Sequence, residues 1–136
     1  MIGIVVIAHD SLADALLTTA KKIIPDFENV VALGIDSNAP VEKNRQAIAG
    51  AIAQVDKGDG VLLLTDLFGG TPTNICLSFL SPNKYEVISG VNLPMLLKLA
   101  SGMQSKPFDE VIPFIQQYGE RNIVIASRVL HGKIER

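Results

Sequence analysis

His9 is the residue whose type and position promise the most chemistry. It closes the aliphatic run Ile2-Gly3-Ile4-Val5-Val6-Ile7-Ala8 and stands just before Asp10-Ser11, where a helical pattern begins. Near neutral pH an imidazole offers an unprotonated nitrogen that can act as a nucleophile. Asp66 follows a second aliphatic run, Val61 to Leu64 with Thr65 at its end. A carboxylate beside an imidazole fixes its tautomer and supports positive charge on the ring. Gly69-Gly70-Thr71-Pro72 comes shortly after. Two glycines allow a tight backbone path, and a helix that begins there turns its free N–H groups and positive dipole end toward the same space. Pro72 suits the first helical position, with Thr71 as the N-cap, and the Thr71 hydroxyl can also donate to an anion. Together these parts suit a phosphohistidine. His9 would attack phosphorus, Asp66 would orient the ring, and Gly69, Gly70 and Thr71 would hold the phosphoryl oxygens. Each part also has a plainer explanation: a turn histidine, a solvated loop carboxylate and an ordinary helix start. The loop is not a Walker P-loop, because no Gly-Lys-Ser/Thr follows. No cluster has metal-ligand spacing, and the chemistry calls for neither cofactor nor metal.

These residues need a scaffold, and the alternation along the chain indicates one. Ile2 to Ala8 is a continuous aliphatic run of strand length, suited to a strand buried on both faces. Ser11-Leu12-Ala13-Asp14 resembles a capping box, Leu12, Leu16, Ala20 and Ile23 recur at helical spacing, and Pro25 ends that helix. Val30 to Ile35 reads as a strand, Val41 to Val55 as a helix, and Val61 to Leu64 as a third strand. A third helix starts at Pro72, Tyr85 to Ile88 is a fourth strand, and Leu93 to Leu99 and Val111 to Tyr118 are further helices, with Asn92 and Pro94 at the start of the first of these. Asn122 to Ala126 is expected to form a last strand, followed by a tail of mixed composition, Arg128 to Arg136, that is prone to fray. This order predicts an α/β fold: a mostly parallel central sheet with helices on both faces, in one domain over 1–136. In such sheets ligands bind beyond the carboxyl ends of the strands, which is where His9 and Asp66 fall.

Composition narrows the class further. With 48% hydrophobic residues the chain can bury a core, and with 5% aromatics and no Trp that core is aliphatic. A net charge of −2, from 12 basic and 14 acidic residues, argues against nucleic-acid binding and supplies no polybasic membrane anchor. Cys76 is the lone cysteine, so no internal disulfide forms, which suits a reducing cytosol. No apolar run approaches the roughly 18 residues of a membrane span, and the N-terminus lacks the basic region of a signal peptide. The expectation is a soluble, cytoplasmic protein.

The sequence also resembles a known family over nearly its whole length. Ile2-Gly3-Ile4-Val5-Val6-Ile7-Ala8-His9 is similar to the opening of mannose-family IIA domains of the bacterial sugar phosphotransferase system (PTS). Asp66-Leu67-Phe68-Gly69-Gly70-Thr71-Pro72 resembles their second signature, and Ser89-Gly90-Val91-Asn92-Leu93-Pro94-Met95 their third. The resemblance implies a flavodoxin-like three-layer fold and a protein-to-protein phosphotransferase. His9 would accept phosphate on Nε2 from an HPr-type phosphocarrier and pass it to a mannose-family IIB protein, for sugar uptake or its regulation. Asp66 would bond the other ring nitrogen, and Thr71 with the backbone at Gly69 and Gly70 would contact the phosphoryl group. The chain would be a homodimer, its last strand, Asn122 to Ala126, exchanged antiparallel onto the partner's sheet. It would meet the membrane only indirectly, through the permease complex. Two features depart from the pattern: Thr stands at position 71 where Ser is commoner, and no IIB module is fused, so the acceptor would be a separate protein. The alternatives are the phosphotransfer subunit of dihydroxyacetone kinase, whose second motif lacks Phe-Gly-Gly-Thr-Pro, and a non-enzymatic anion-binding module in which His9 is dispensable.

Overall fold

A computed structural model describes residues 1–132, apart from the side chains of Thr71 and Pro72. Four strands alternate with helices: β1 (Gly3–His9), α1 (Leu12–Ile23), β2 (Val30–Ile35), α2 (Val41–Val55), β3 (Val61–Thr65), α3 (Thr71–Leu77), β4 (Tyr85–Ser89), α4 (Leu93–Ala100), α5 (Phe108–Arg121) and α6 (Ala126–Leu130). A short 3₁₀ turn, Met103–Ser105, lies between α4 and α5. The strands form one parallel sheet in the order β2-β1-β3-β4. That is the α/β architecture expected from the alternation.

The aliphatic runs of β1 and β3 follow from their central places in the sheet. Side chains alternate across a strand, so each run serves two cores. Ile4, Val6 and Ala8 join Leu62 and Leu64 beneath α1, α4 and α5. Val5 and Ile7 join Val61 and Leu63 beneath α2 and α3. These strand residues are fully buried, and burying such a side chain contributes roughly 1.5–3 kcal/mol. The carboxyl ends of β1 and β3 are therefore firmly placed. Among the described residues, no helix is long and apolar enough to cross a membrane.

Asn92 ties two helices together. Its Oδ1 accepts from Met95 N at 3.1 Å, capping α4, and its Nδ2 donates to Gly119 O on α5 at 3.0 Å. Its place at a helix start thus has a structural explanation.

Several local expectations are corrected. Asn122 to Ala126 forms no strand within the chain. Asn122 ends α5, Ala126 opens α6, and Ile123, Val124 and Ile125 between them are 79%, 45% and 54% exposed. Their β-branched side chains favour a strand, but that segment finds no neighbour in the four-stranded sheet to complete its hydrogen bonds. Ser11 precedes α1 but makes no side-chain cap, because its backbone at φ −96° and ψ 6° is not the extended conformation that aims a capping hydroxyl. Gly70, extended at φ −81° and ψ 171°, takes the N-cap position of α3, so Thr71 lies one residue inside the helix. The tail is also more ordered than expected, since α6 occupies 126–130; residues 133–136 lie outside the described ones.

Asn92→Ala removes the cap and the α5 bond together. It is expected to lower unfolding stability by about 1–2 kcal/mol. A urea midpoint equal to that of the parent protein would contradict this role.

Candidate functional site

β1 and β3 are neighbours, but the chain leaves them in opposite directions: β2 lies beyond β1 and β4 beyond β3. The loops at their carboxyl ends diverge, and such a reversal opens a crevice where α/β sheets bind ligands. His9 ends β1, and Asp66 directly follows β3.

The structure brings these two side chains together. Asp66 Oδ2 lies 2.7 Å from His9 Nδ1 and accepts the His9 backbone N–H at 3.0 Å. Asp66 Oδ1 accepts Leu67 N–H at 2.9 Å. Both carboxylate oxygens are thus occupied, and the bonds to His9 hold its main chain and its ring at once. An ionised carboxylate only accepts, so the proton of this contact belongs to Nδ1. In neutral His9 the lone pair is then on Nε2. The His9 side chain is 36% exposed and that of Asp66 9%. The imidazole is thus partly open to solvent while the carboxylate that holds it is sheltered.

Burial acts to raise the Asp66 pKa. The hydrogen bonds from the His9 backbone and ring, the charge of His9 and the Leu67 N–H outweigh it, and the carboxyl lies below its usual value. A depressed folded-state pKa means that ionised Asp66 adds stability above the unfolded carboxyl value of about 3.9, and that this stability is lost as pH falls through the folded value.

The turns around this pair are fixed by close packing. Asp10, next to His9, has φ 50°, in the left-handed region. Its carbonyl oxygen lies 2.3 Å from where a Cβ on Gly34 would stand. Gly34 pairs with Ala8 in the sheet, so only glycine lets the chain after His9 cross β2 so closely. On the other loop Gly69 has φ 88°, and α3 begins two residues later. Thr71, expected to donate its hydroxyl to the phosphoryl group, has its side chain outside the described residues.

Behind the Asp66 loop lie three hydroxyls. Thr65 Oγ1 is 2.8 Å from Ser89 Oγ and 3.1 Å from Thr73 Oγ1, and the Thr73 hydroxyl bonds the Leu67 carbonyl. Leu67 and Phe68 project outward, 50% and 73% exposed, and Leu12 in the first turn of α1 is 45% exposed.

Sequence reasoning had located His9 and Asp66. It assigned no role to Gly34, Thr65, Thr73 or Ser89. A glycine inside a β-rich run, and a threonine where a buried strand would take valine, were the available signals.

An open parallel α/β sandwich with a strand-end histidine held by a carboxylate is thus the class that fold and site define. The chain belongs to the EIIA-man family, described as "PTS system fructose IIA component", which matches residues 3–116. The PTS system mannose-specific EIIAB component of Escherichia coli (strain K12) is 32% identical over 124 residues, covering 90% of this chain and 38% of that protein. The chain therefore spans well under half the length of that relative. The PTS system fructose-specific EIIA component of Bacillus subtilis (strain 168) is 24% identical over 131 residues, covering 96% of this chain and 90% of that protein. Among solved structures, the phosphotransferase system component EIIA from Streptococcus agalactiae superposes with a TM-score of 0.80 at 27% identity, covering 93% of this chain and 98% of that one.

Two measurements check this site. Asp66→Asn is expected to be less stable than the parent at neutral pH, and the gap should close as pH falls below about 4. A gap that stays constant from pH 7 to 3 would show that the carboxylate charge is not what the fold uses. Gly34→Ala should displace the Asp10 carbonyl and shift the His9 amide and ring signals in NMR spectra, whereas unchanged His9 signals would mean that this close approach does not set the turn.

Proposed function

We propose that this protein is a phosphocarrier of the sugar phosphotransferase system, acting in the cytoplasm. It takes a phosphoryl group onto His9 Nε2 from an HPr-type protein and passes it to a mannose-family IIB protein. The observation that carries this reading is the 2.7 Å contact between His9 Nδ1 and Asp66, which engages one nitrogen of a partly exposed ring and leaves the other as nucleophile. The Nε2 lone pair attacks phosphorus, a P–N bond to Nε2 forms, and the bond from phosphorus to the donor nitrogen breaks. The product ring keeps its Nδ1 proton and carries positive charge, which the Asp66 carboxylate offsets. Attack of a IIB nucleophile reverses the sequence and returns His9 neutral. Gly69, Gly70 and Thr71 are assigned to the phosphoryl oxygens: they follow Asp66 closely, and α3 starts among them. The exposed Leu67, Phe68 and Leu12 at this end of the sheet suit a protein partner, since apolar side chains gathered around a site mark interaction surfaces.

The reading extends to one domain over 1–136 and to a homodimer. β4 is an edge strand, and the Ile123-Val124-Ile125 segment is exposed and β-branched. Exchange of that segment onto the partner's β4 would satisfy both. Access to the membrane would be indirect, through the permease complex. The dihydroxyacetone kinase alternative loses ground to the family match.

Incubation with enzyme I, HPr and phosphoenolpyruvate, followed by intact-mass spectrometry at neutral pH, tests the central step. The parent protein should gain one acid-labile phosphoryl group, and His9→Ala none. A phosphorylated His9→Ala variant would remove His9 from the reaction. Deletion from Asn122 onward should yield a monomer by light scattering, and a truncated dimer would contradict the exchange.

A further inference from the structure

Two of the three hydroxyls beneath the Asp66 loop are in surroundings that would accept valine. Thr65 and Thr73 are both fully buried. Valine has the same shape, and a buried hydroxyl costs stability unless it is hydrogen-bonded. The use of these hydroxyls is therefore read from where their bonds go.

They go to the residues on either side of Asp66. The Leu67 carbonyl can only accept, so the single Thr73 proton is donated to it. The Thr73 oxygen remains free to accept from Thr65, and Thr65 from Ser89, at 3.1 and 2.8 Å. Each hydroxyl then donates once, along a chain Ser89 to Thr65 to Thr73 to Leu67. Thr65 is held a second time: its carbonyl accepts Gly90 N at 2.9 Å and Val91 N at 3.0 Å. The residue before Asp66 is thereby fixed to the end of β4, and the residue after it to α3. Leu67 also donates its N–H to Asp66 Oδ1. A carboxylate with so short a side chain has little freedom once both neighbours are fixed.

We propose that Thr73 is a positioning residue: through its hydroxyl it clamps the two residues flanking Asp66 and so aims the Asp66 carboxylate at His9 Nδ1. Its kinetic consequence rests on the phosphocarrier reading, but the aim itself is measurable without it. The Thr73 hydroxyl bonds Thr65 and Leu67 rather than His9, so its effect passes through Asp66.

The test compares Thr73→Val, which keeps the shape and loses the hydroxyl, with Thr73→Ser, which keeps the hydroxyl. Thr73→Val is expected to lower kcat for phosphoryl acceptance about fivefold with the donor KM within about twofold, the size of one lost hydrogen bond felt at the reacting pair. Thr73→Ser should restore most of the rate. The NMR signal of the His9 Nδ1 proton should weaken through faster exchange in Thr73→Val and persist in Thr73→Ser. In an Asp66→Asn background Thr73→Val should have no further effect on rate, because both changes act on one interaction. A Thr73→Val protein with the parent's rate and ring-proton signal would overturn the proposal, whatever its melting temperature. So would a Thr73→Ser protein as slow as Thr73→Val, since the methyl group rather than the hydroxyl would then matter. Thr65→Val cuts the same chain and replaces Thr73→Val if that variant does not fold. If the parent protein accepts no phosphoryl group from any donor, the phosphocarrier reading fails, and the ring-proton signal alone decides whether Thr73 aims Asp66.

Discussion

The bond between His9 Nδ1 and Asp66 is the constraint around which the site is arranged. It sets the tautomer, turns the ring and leaves Nε2 as the nitrogen with the lone pair. The second bond from the same carboxylate oxygen, to the His9 backbone N–H, makes this a two-point attachment. The end of β1 and the ring it carries thus move with Asp66. A short carboxylate can bridge two strand ends only if those ends are neighbours in register, and the pairing of Ile7 with Thr65 provides that.

The remainder of the fold supplies the register and the opening. β1 and β3 are central and buried on both faces, which is why their sequences are aliphatic throughout. Reversal of strand order between them sends the two following loops apart. One loop is brought close to β2 by the missing side chain of Gly34. The other turns at Gly69 and is fastened from beneath by hydroxyls. The outcome is a partly exposed His9 held against a sheltered carboxylate, with the exposed side chains of Leu67, Phe68 and Leu12 at the same end of the sheet.

Much of this was legible in the sequence, for identifiable physical reasons. Strands buried on both faces announce themselves as aliphatic runs, which located β1 and β3 within a residue or so; the edge strands β2 and β4 were legible as shorter runs of strand-forming residues between turns and helices. Residues just past such runs fall at the carboxyl edge, and this placed His9 and Asp66 together before any coordinates. Less legible features depend on contacts distant in sequence. The role of Gly34 appears only when Asp10 crosses it, and that of Thr73 only when α3 folds back under Leu67. The segment 122–126 forms no strand within the chain for a related reason. Its β-branched composition reports a preference, but a strand also needs a neighbour, and this segment pairs with none of the four strands of its own sheet. Helix starts at Ser11 and Thr71 shifted or lost their expected caps because capping depends on one residue's backbone angles, which composition does not fix.

The most direct test is the identity of the phosphorylated atom. Phosphorylated protein carrying ¹⁵N-labelled histidine can be read by ¹⁵N and ³¹P NMR, which separate the two ring nitrogens. The geometry predicts phosphorus on Nε2 of His9, with Nδ1 keeping its proton toward Asp66. Phosphorus on Nδ1, or on any residue other than His9, would contradict the account.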